Sequence, residues 1–271
     1  LKFDNYLRDV DNKDAPLRFS LDLSVKAEVE RLLAGGVQLM DAKGAAAVLM
    51  DVNTGEVIAL ASLPNFNSNE RSVGNGFDPD NPIFNHAVRG VYKLGSTFMI
   101  FTVAQAMELG AVNQETMVGV QGPFRFGHSR IKDGIFIDKE LSVPDIIVKS
   151  SVGGAARTAQ MIGAELQQQF LRDLGMFDET SLEMAETSGG KLLVPQKWNE
   201  LSSMTISYGH GLAVSPIHLA AGYAALANGE NKVHPTLVRQ EQSKLGPRLV
   251  SESVCGHVAQ SSHRRYRRKI W

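Results

Sequence analysis

The sequence predicts a domain of the α+β class, in which helices pack beside an antiparallel pair of strands. The strands are indicated by AAAVLMDVNTGEVIALASLP: two β-rich runs at 46–52 and 57–62 flank Asn53-Thr54-Gly55, a typical hairpin turn, and Pro64 ends the second run. Helices are indicated by several apolar patterns that have capping residues before them and glycine after them. The 271 residues, 43% hydrophobic and 21% charged, are typical of a soluble globular protein and can bury a sizeable core.

The first helical pattern follows a short extended piece at 17–21, and Gly35 and Gly36 are expected to end it. Residues 65–91 are rich in Asn, Gly, Asp and Pro, which predicts a long irregular connection of the kind that often carries function. The apolar side of the first helix is predicted to carry Leu23, Val25, Val29, Leu32 and Leu33.

Further helices are predicted along the rest of the chain. One spans 96–109 and ends at Gly110. After short strands and turns at 120–134, the next begins at Ser142 as N-cap, with Pro144 in its first turn. The segment GGAARTAQMIGAELQQQFLRDLG predicts one helix that ends at Gly175, and 215–229 predicts another, with Ser215 as its cap. The apolar stripe of the helix before Gly175 is predicted to contain Ala156, Met161, Leu166, Phe170 and Leu174.

Charge and composition exclude several classes of function. The last fifteen residues hold five basic and no acidic residues, and the rest of the chain has 23 basic against 29 acidic residues. That tail has no usable helical period and no aromatic interleaving, so we expect a disordered, solvated segment rather than a nucleic-acid site. The single Cys255 allows no internal disulfide, and no apolar run reaches membrane-helix length. The start lacks a secretory signal, so any anchor would lie upstream.

No cofactor is expected from the sequence. No His/Cys cluster has the spacing of metal ligands, and no glycine-rich loop follows a strand and opens a helix as a phosphate site does.

Four segments occur in the order and at the spacing of one known family: MDVNTGEVIALASLPNFNSN, FNHAVRGVYKLGSTF, IIVKSS and SYGHGLAVSPIHLAAGYAALANG. Together they resemble the transpeptidase domains of class B penicillin-binding proteins, particularly the division-type enzymes that cross-link septal peptidoglycan. The resemblance covers about 17–237, most of the chain, and the combination is more specific than any single motif in it.

That family acts through three motifs: S-x-x-K on a helix, S-x-N on a loop and K-T-G on a strand. Residues i and i+3 share a helix face, so the lysine amine can reach the serine hydroxyl and take its proton. Here Ser96 matches the nucleophile, but Met99 stands at the lysine position. A thioether is neither a base at neutral pH nor a cation, so this motif has lost its base.

The second and third motifs are also incomplete. Ser150 matches the second-motif serine, with Ser151 beside it, but Val152 stands at the asparagine position and has no donor or acceptor for a substrate amide. K-T-G is absent, and its nearest counterpart, SGGKLL at 188–193, precedes the SYGHG block. From about Cys255 the resemblance stops, and one hypothesis is a reading-frame shift near that residue.

Other side chains could in principle replace the missing base. No spacing argument brings any of them within hydrogen-bond reach of Ser96, and most lone histidines are surface or satisfied core groups. Met99 itself is most simply a core residue, because methionine fills irregular gaps well. The candidate bases are Lys93, Lys149, His86, His128 and His210.

The resemblance implies the penicillin-binding transpeptidase and serine β-lactamase-like fold, a helical lobe packed on an antiparallel sheet, with the C-terminal strands missing here. It divides the chain into a linker at 1–16, an incomplete transpeptidase-like domain at 17–250 and a divergent basic tail at 251–271. A two-stranded remnant leaves an open edge. We therefore expect that edge to be covered by the tail or by another copy of the chain, or to be poorly ordered.

The function implied by the resemblance is D,D-transpeptidation in peptidoglycan synthesis and cell division, through an acyl-serine that β-lactams also form. Because the motif lysine, the motif asparagine and K-T-G are absent, we expect an inactive or crippled domain. The alternative is a non-catalytic domain of the division or cell-wall machinery that binds a partner or a ligand. Expected partners are a peptidoglycan stem peptide or a β-lactam, division proteins or a second copy, and no nucleic acid. The expected location is periplasmic or extracytoplasmic, tethered to the inner membrane by an upstream anchor.

Overall fold

The computed structural model describes residues 17–67, 69, 78–121, 124–126, 129–131, 133, 139–189, 192–229, 231–242 and 245–267. Three two-stranded antiparallel sheets, β1 with β2, β3 with β6 and β4 with β5, lie among the helices of these residues. The helices are α1 (Leu23–Met40), α2 (Met99–Glu108), α3 (Val143–Lys149), α4 (Val152–Ile162), α5 (Ala164–Asp173), α6 (Glu200–Ser207), α7 (Pro216–Ala227) and α8 (Glu252–Arg267). The strands are β1 (Ala45–Met50), β2 (Val57–Leu63), β3 (Met117–Gly119), β4 (Phe124–Phe126), β5 (Ser129–Ile131) and β6 (Glu140–Ser142).

The predicted hairpin is confirmed as the β1–β2 pair. Its register runs from Ala45 opposite Leu63 to Leu49 opposite Ala59, with a bulge between Leu49 and Met50. The turn is held by Asp51, whose Oδ1 accepts hydrogen bonds from the N–H groups of the two residues that follow Val52, at 2.8 and 2.9 Å. Helices α1 and α7 pack against this hairpin, and within the described residues its sheet has two strands.

Helix α1 is longer than predicted, because Gly35 and Gly36 do not end it. Asp22 caps its start by accepting hydrogen bonds from two backbone N–H groups, and Asp41 ends it in the left-handed conformation, with φ 49°. A helical glycine is unfavourable by only about 1 kcal/mol, so packing against the hairpin carries the helix through both. The prediction that Leu23 and Leu32 belong to the buried side was wrong: they are 76% and 59% exposed.

The single helix predicted before Gly175 is two helices, α4 and α5. Gly163 separates them with φ 87° and ψ 155°, a conformation that leaves the helical path. Because the helix direction changes there, the predicted apolar stripe is broken, and Met161 and Leu166 are about half exposed. The other predicted helices are present: Gly95–Phe98 is a 3₁₀ turn that leads into α2, and Ser142 caps α3.

The tail was predicted to be a disordered, solvated segment, but its described part, up to Arg267, belongs to helix α8. Its buried side carries Val254, Val258, Ser261 and Arg265, which follow one another by four, three and four residues. The prediction missed this period because two of the four side chains are polar. The helix starts beside the end of α2, where Glu108 Oε2 accepts hydrogen bonds from the N–H and the hydroxyl of Ser251, both 2.7 Å.

Helix α8 packs on α2, α3 and α7, and the main core lies around α2. Helix α8 is thus packed on the helical lobe. One predicted alternative was that the tail covers the open edge of the hairpin, and this is not its main contact. In the described part of the chain, no helix is long and apolar enough to cross a membrane.

Candidate active site

Ser96 lies in the 3₁₀ turn at the start of α2, and the backbone of this turn is fixed on several sides. The N–H of Gly95, whose φ is 60°, donates to the Gly209 carbonyl at 3.2 Å. The Thr97 hydroxyl donates to the carbonyl of Leu94, and the hydroxyl of Tyr223 in α7 donates to the carbonyl of Thr97, both at 2.7 Å. The serine is therefore held on a turn that packing and hydrogen bonds define.

Gly209 has to be a glycine for this turn to form. A Cβ atom on it would lie 2.2 Å from the carbonyl oxygen of Gly95, and its φ is 77°. Both facts exclude a side chain, because the two backbones cross in contact and an L-residue is strained at that φ. The SYGHG segment thus positions Ser96 by close backbone contact.

Met99 is confirmed as a core residue in the structure: its exposed fraction is 0%, and it belongs to the main core cluster around α2. The position one helical turn after Ser96 is therefore a sealed apolar site. No side chain here offers a base to the serine.

The second-motif segment is an ordered junction between α3 and α4. Ser150 ends α3 in the left-handed conformation, with φ 58°, and Ser151 caps α4 by accepting a hydrogen bond from Gly154 N–H at 2.9 Å. Val152 begins α4 and packs partly buried against the core. The asparagine position thus contributes an apolar contact.

Asp133 holds this junction from outside the motif. Its carboxylate accepts hydrogen bonds from the Ser151 hydroxyl at 3.0 Å and from the N–H of Gly153 at 3.3 Å, and also from Val152 N–H. A carboxylate at a helix N-terminus is favourable for both hydrogen bonding and the helix dipole. Sequence reasoning did not single out Asp133, since no local pattern connects it to a residue 18 positions away.

Arg265 of α8 joins the two predicted serines. One terminal nitrogen of its guanidinium donates to the Ser96 carbonyl at 3.1 Å. The other donates to Ser96 Oγ at 2.7 Å and reaches Ser150 Oγ at 3.4 Å. Ser96 and Ser150 thus share a contact with one cation, which comes from the tail that the prediction had placed in solvent.

The guanidinium lies in an unusual environment for a charge. The Arg265 residue is only 8% exposed, and its hydrogen bonds within the described residues go to a carbonyl and two hydroxyls. The neighbouring Arg264 approaches Asp145 at 3.9 Å, and both arginines lie in the last turn of α8, where the helix dipole favours cations. The sequence did contain a signal for this burial, because the spacing of Arg265 from Val254 and Val258 places the three residues on one side of a helix.

Two of the alternative bases, His86 and His210, lie within hydrogen-bond distance of groups other than Ser96. His86 Nδ1 and the Tyr92 hydroxyl are 2.5 Å apart, and burial lowers the pKa of His86. His210 Nδ1 lies 3.2 Å from the Tyr208 carbonyl, and Lys93 is exposed. Lys149 precedes Ser150, and His128 lies outside the described residues, as does the lysine of SGGKLL. The described hydrogen bond to Ser96 Oγ is the one from Arg265.

In the part of the chain that the structure describes, no three His, Cys, Asp or Glu side chains are grouped so that they could hold a metal ion. Residues 45–262 match the family described as "Penicillin binding protein transpeptidase domain". The chain belongs to this family.

Two curated relatives of the chain are named as peptidoglycan D,D-transpeptidases. The chain is 30% identical over 246 residues to the "Probable peptidoglycan D,D-transpeptidase FtsI" of Caulobacter vibrioides, which covers 90% of this chain and 41% of that protein. It is 27% identical over 257 residues to "Peptidoglycan D,D-transpeptidase FtsI" of Escherichia coli K12, and this match covers 93% of this chain and 43% of that protein. The chain therefore spans about two fifths of the length of these curated relatives.

Two solved structures that superpose on this chain confirm the predicted fold class. The "Apo structure of TP domain from Burkholderia pseudomallei penicillin-binding protein 3" superposes with a TM-score of 0.78 at 27% identity, over 93% of this chain and 70% of that one. A "peptidoglycan glycosyltransferase from Burkholderia ambifaria" gives the same TM-score at 26% identity, over 90% of this chain and 72% of that one. The family match reaches residue 262, so it continues past Cys255, where the sequence had been expected to diverge.

Proposed function

We propose that this chain is a transpeptidase-family domain of peptidoglycan synthesis in cell division that no longer acylates its serine. The family match and the names of the FtsI relatives support the first part. We further propose an extracytoplasmic, periplasmic location, with a membrane tether that lies outside these 271 residues. The boundary between the domain, predicted at 17–250, and the tail, predicted at 251–271, also belongs to this proposal, and the family match to residue 262 favours a later boundary.

The single observation that carries the inactive function is the contact of Arg265 with Ser96 Oγ. An acylating serine needs a group that removes its proton. A guanidinium cannot do this, since arginine is not deprotonated in proteins, and the Arg265 guanidinium donates to Ser96 Oγ at 2.7 Å instead of accepting its proton. It stabilises negative charge on Oγ without providing a route for the proton.

The rest of the motif set supports the same conclusion. The lysine position is occupied by the fully buried Met99 and the asparagine position by Val152, which packs against the core. Neither side chain can exchange a proton with Ser96 or bind a substrate amide. The inherited turn thus keeps its shape, while each of these two polar groups has been replaced by an apolar contact.

The experiment is labelling with a fluorescent penicillin, followed by denaturing electrophoresis. A β-lactam becomes attached only when an activated serine attacks it. Since we propose that Ser96 is not activated, we expect no label on the wild-type chain. Ser96→Ala defines the background, and an intact FtsI transpeptidase domain serves as the positive control. Label on the wild type that disappears in Ser96→Ala would refute the proposal.

Arg265→Ala separates the two obstacles to acylation, which are the guanidinium beside Ser96 and the missing base. This variant removes the guanidinium but leaves the site without a base, so we expect it to stay unlabelled as well. Arg264→Ala is the matched control, because the neighbouring arginine faces Asp145 instead of Ser96. Label that appears in Arg265→Ala alone would mean that the tail blocks an otherwise competent serine.

Non-covalent ligand binding is the second candidate function. A buried guanidinium beside two hydroxyls could hold a carboxylate, which would compensate its charge better than the present neutral acceptors. Isothermal titration with D-Ala-D-Ala tests this, and we expect any binding to be lost in Arg265→Ala and kept in Arg264→Ala. Equal binding by both variants would place the ligand elsewhere.

A further inference from the structure

A small cavity lies apart from the serine site, between the end of α5 and the first turns of α7. Its volume is about 90 Å³, and the segments 178–181 and 232–235 form its other walls. Its lining residues include none of the groups that hold the Ser96 turn by the hydrogen bonds described above. The serine site therefore does not account for this cavity.

Hydrogen bonds join the walls of the cavity to one another. The Ser181 hydroxyl donates to the Pro235 carbonyl at 2.8 Å, which ties the segment 178–181 to the segment 232–235. His218 Nε2 lies 2.8 Å from the Asp178 carbonyl oxygen, which ties the same segment to α7. The cavity is thus formed before any ligand enters it, so a ligand would not have to order its walls.

Lys232 brings a positive charge to the cavity. Its Nζ lies 3.4 Å from the position that a Cβ atom on Gly175 would occupy, so the ammonium lies against the backbone that follows α5. Among the residues that the structure describes, this side chain forms no ion pair. Burial, together with the charge of Lys232, lowers the pKa of His234, which also lines the cavity and is therefore neutral at pH 7.

Asp178 and Glu179 bring negative charge to the same cavity. Both residues are exposed, and in the described part of the chain neither carboxylate is paired with Lys232 or with another cation. The hydroxyl-bearing residues Thr180 and Ser181 also line the cavity. The cavity therefore offers charges of both signs that do not neutralise each other.

The volume limits the ligand to a very small molecule. About 90 Å³ corresponds to roughly three water molecules at about 30 Å³ each, whereas pockets for drug-sized ligands measure about 300–1,000 Å³. A simple anion would be repelled by the two carboxylates, and a simple cation would be repelled by the ammonium. A small molecule that carries both charges matches the two sets of groups.

We propose that this cavity binds a free α-amino acid of the size of glycine or alanine. The carboxylate of the ligand lies toward Lys232 and its ammonium toward Asp178 and Glu179, so each end forms charge-assisted hydrogen bonds. This proposal stands apart from the proposed function, because its residues include neither Ser96 nor Arg265.

The test is equilibrium dialysis of the chain against radiolabelled glycine, D-alanine and L-alanine. Glycine should bind saturably, with one molecule per chain. Acetate and methylamine, which each keep only one of the two charges, should compete at least about tenfold more weakly than unlabelled glycine. The reason is that each of them loses the charge-assisted hydrogen bonds of one end.

Two pairs of variants locate the ligand. Lys232→Gln should raise the dissociation constant of glycine at least about tenfold, and Lys197→Gln is the matched control, since Lys197 is exposed and lies outside the cavity. Ala221→Leu should abolish binding, because the larger side chain fills the cavity without changing a charge. Ala227→Leu is its control on the same helix, at an exposed position outside the cavity, and it should bind glycine like the wild type. Circular dichroism shows whether each variant is folded.

Three results would overturn the proposal. The first is the absence of saturable binding of all three amino acids. The second is competition by acetate that is as strong as that by glycine, which would make the cavity a site for an anion alone. The third is glycine binding at wild-type strength in a folded Lys232→Gln or Ala221→Leu chain; if Arg265→Ala then loses this binding, the amino acid lies at the serine site.

Discussion

Replacement of Met99 by lysine is the change that would rebuild the first motif, and we predict that it destabilises the domain without restoring acylation. Met99 has an exposed fraction of 0% and is among the largest fully buried side chains. A lysine there has to bury its amine among apolar groups of the main core, such as Phe98 and Phe101. The motif position is thus no longer a polar site that a lysine can simply occupy.

The magnitude follows from the burial. Holding the amine neutral at pH 7, against its ordinary pKa of about 10.4, costs about 4 to 5 kcal/mol at 1.36 kcal/mol per pKa unit. Less complete packing of the new side chain adds about 1 kcal/mol or more. The total of roughly 5 kcal/mol equals a large part of the 5–15 kcal/mol that typically stabilises a domain.

The assay is urea unfolding followed by circular dichroism, together with fluorescent penicillin labelling. Met99→Leu is the control for the loss of methionine, and it should lose less than about 1.5 kcal/mol because the volume is nearly conserved. The reasoning fails if Met99→Lys is as stable as Met99→Leu, or if it becomes labelled on Ser96. Either result would mean that the position opens to the serine and to water.

Four further changes test the rest of the site. Gly256→Ala, in the interior of α8 with open space around it, should raise the free energy of unfolding by about 0.5–1 kcal/mol; no gain would argue against the tail helix. Gly209→Ala should lower it by about 3 kcal/mol, because the new Cβ would meet the Gly95 carbonyl at 2.2 Å; a loss below about 1 kcal/mol would mean that this crossing is loose. Asp133→Ala should lower the free energy by about 1–2 kcal/mol, because the start of α4 loses the carboxylate that accepts from the Ser151 hydroxyl and from Gly153 N–H, and an unchanged urea midpoint would contradict this role. Burial lowers the pKa of His218, so below about pH 6.5 the unfolded state binds more protons than the folded state, and the stability should fall as the pH drops from there to the folded-state pKa. Comparison of urea midpoints at several pH values should show a smaller fall in His218→Gln, and an equal fall would assign the effect to other groups.

Much of the local structure could be predicted from the sequence because its causes are local. The turn after Asp51 is made by neighbouring side chains and a glycine, and the start of α3 by the hydroxyl of Ser142. Ser96 was located at the beginning of a helix by its motif and flanking residues. Gly163 shows the limit of this reasoning, since a helical pattern was present on both sides and only the backbone conformation broke it.

The chemistry of the site was decided by contacts that no local pattern contains. Arg265 reaches Ser96 across 169 residues, and Asp133 holds the second-motif junction across 18. The sequence by itself determined that the lysine and asparagine of the motifs are replaced by Met99 and Val152. The tertiary structure decided what surrounds the serine: packing of α8 on α2 places a guanidinium beside Ser96 Oγ, and burial of Met99 makes the lysine position part of the apolar core.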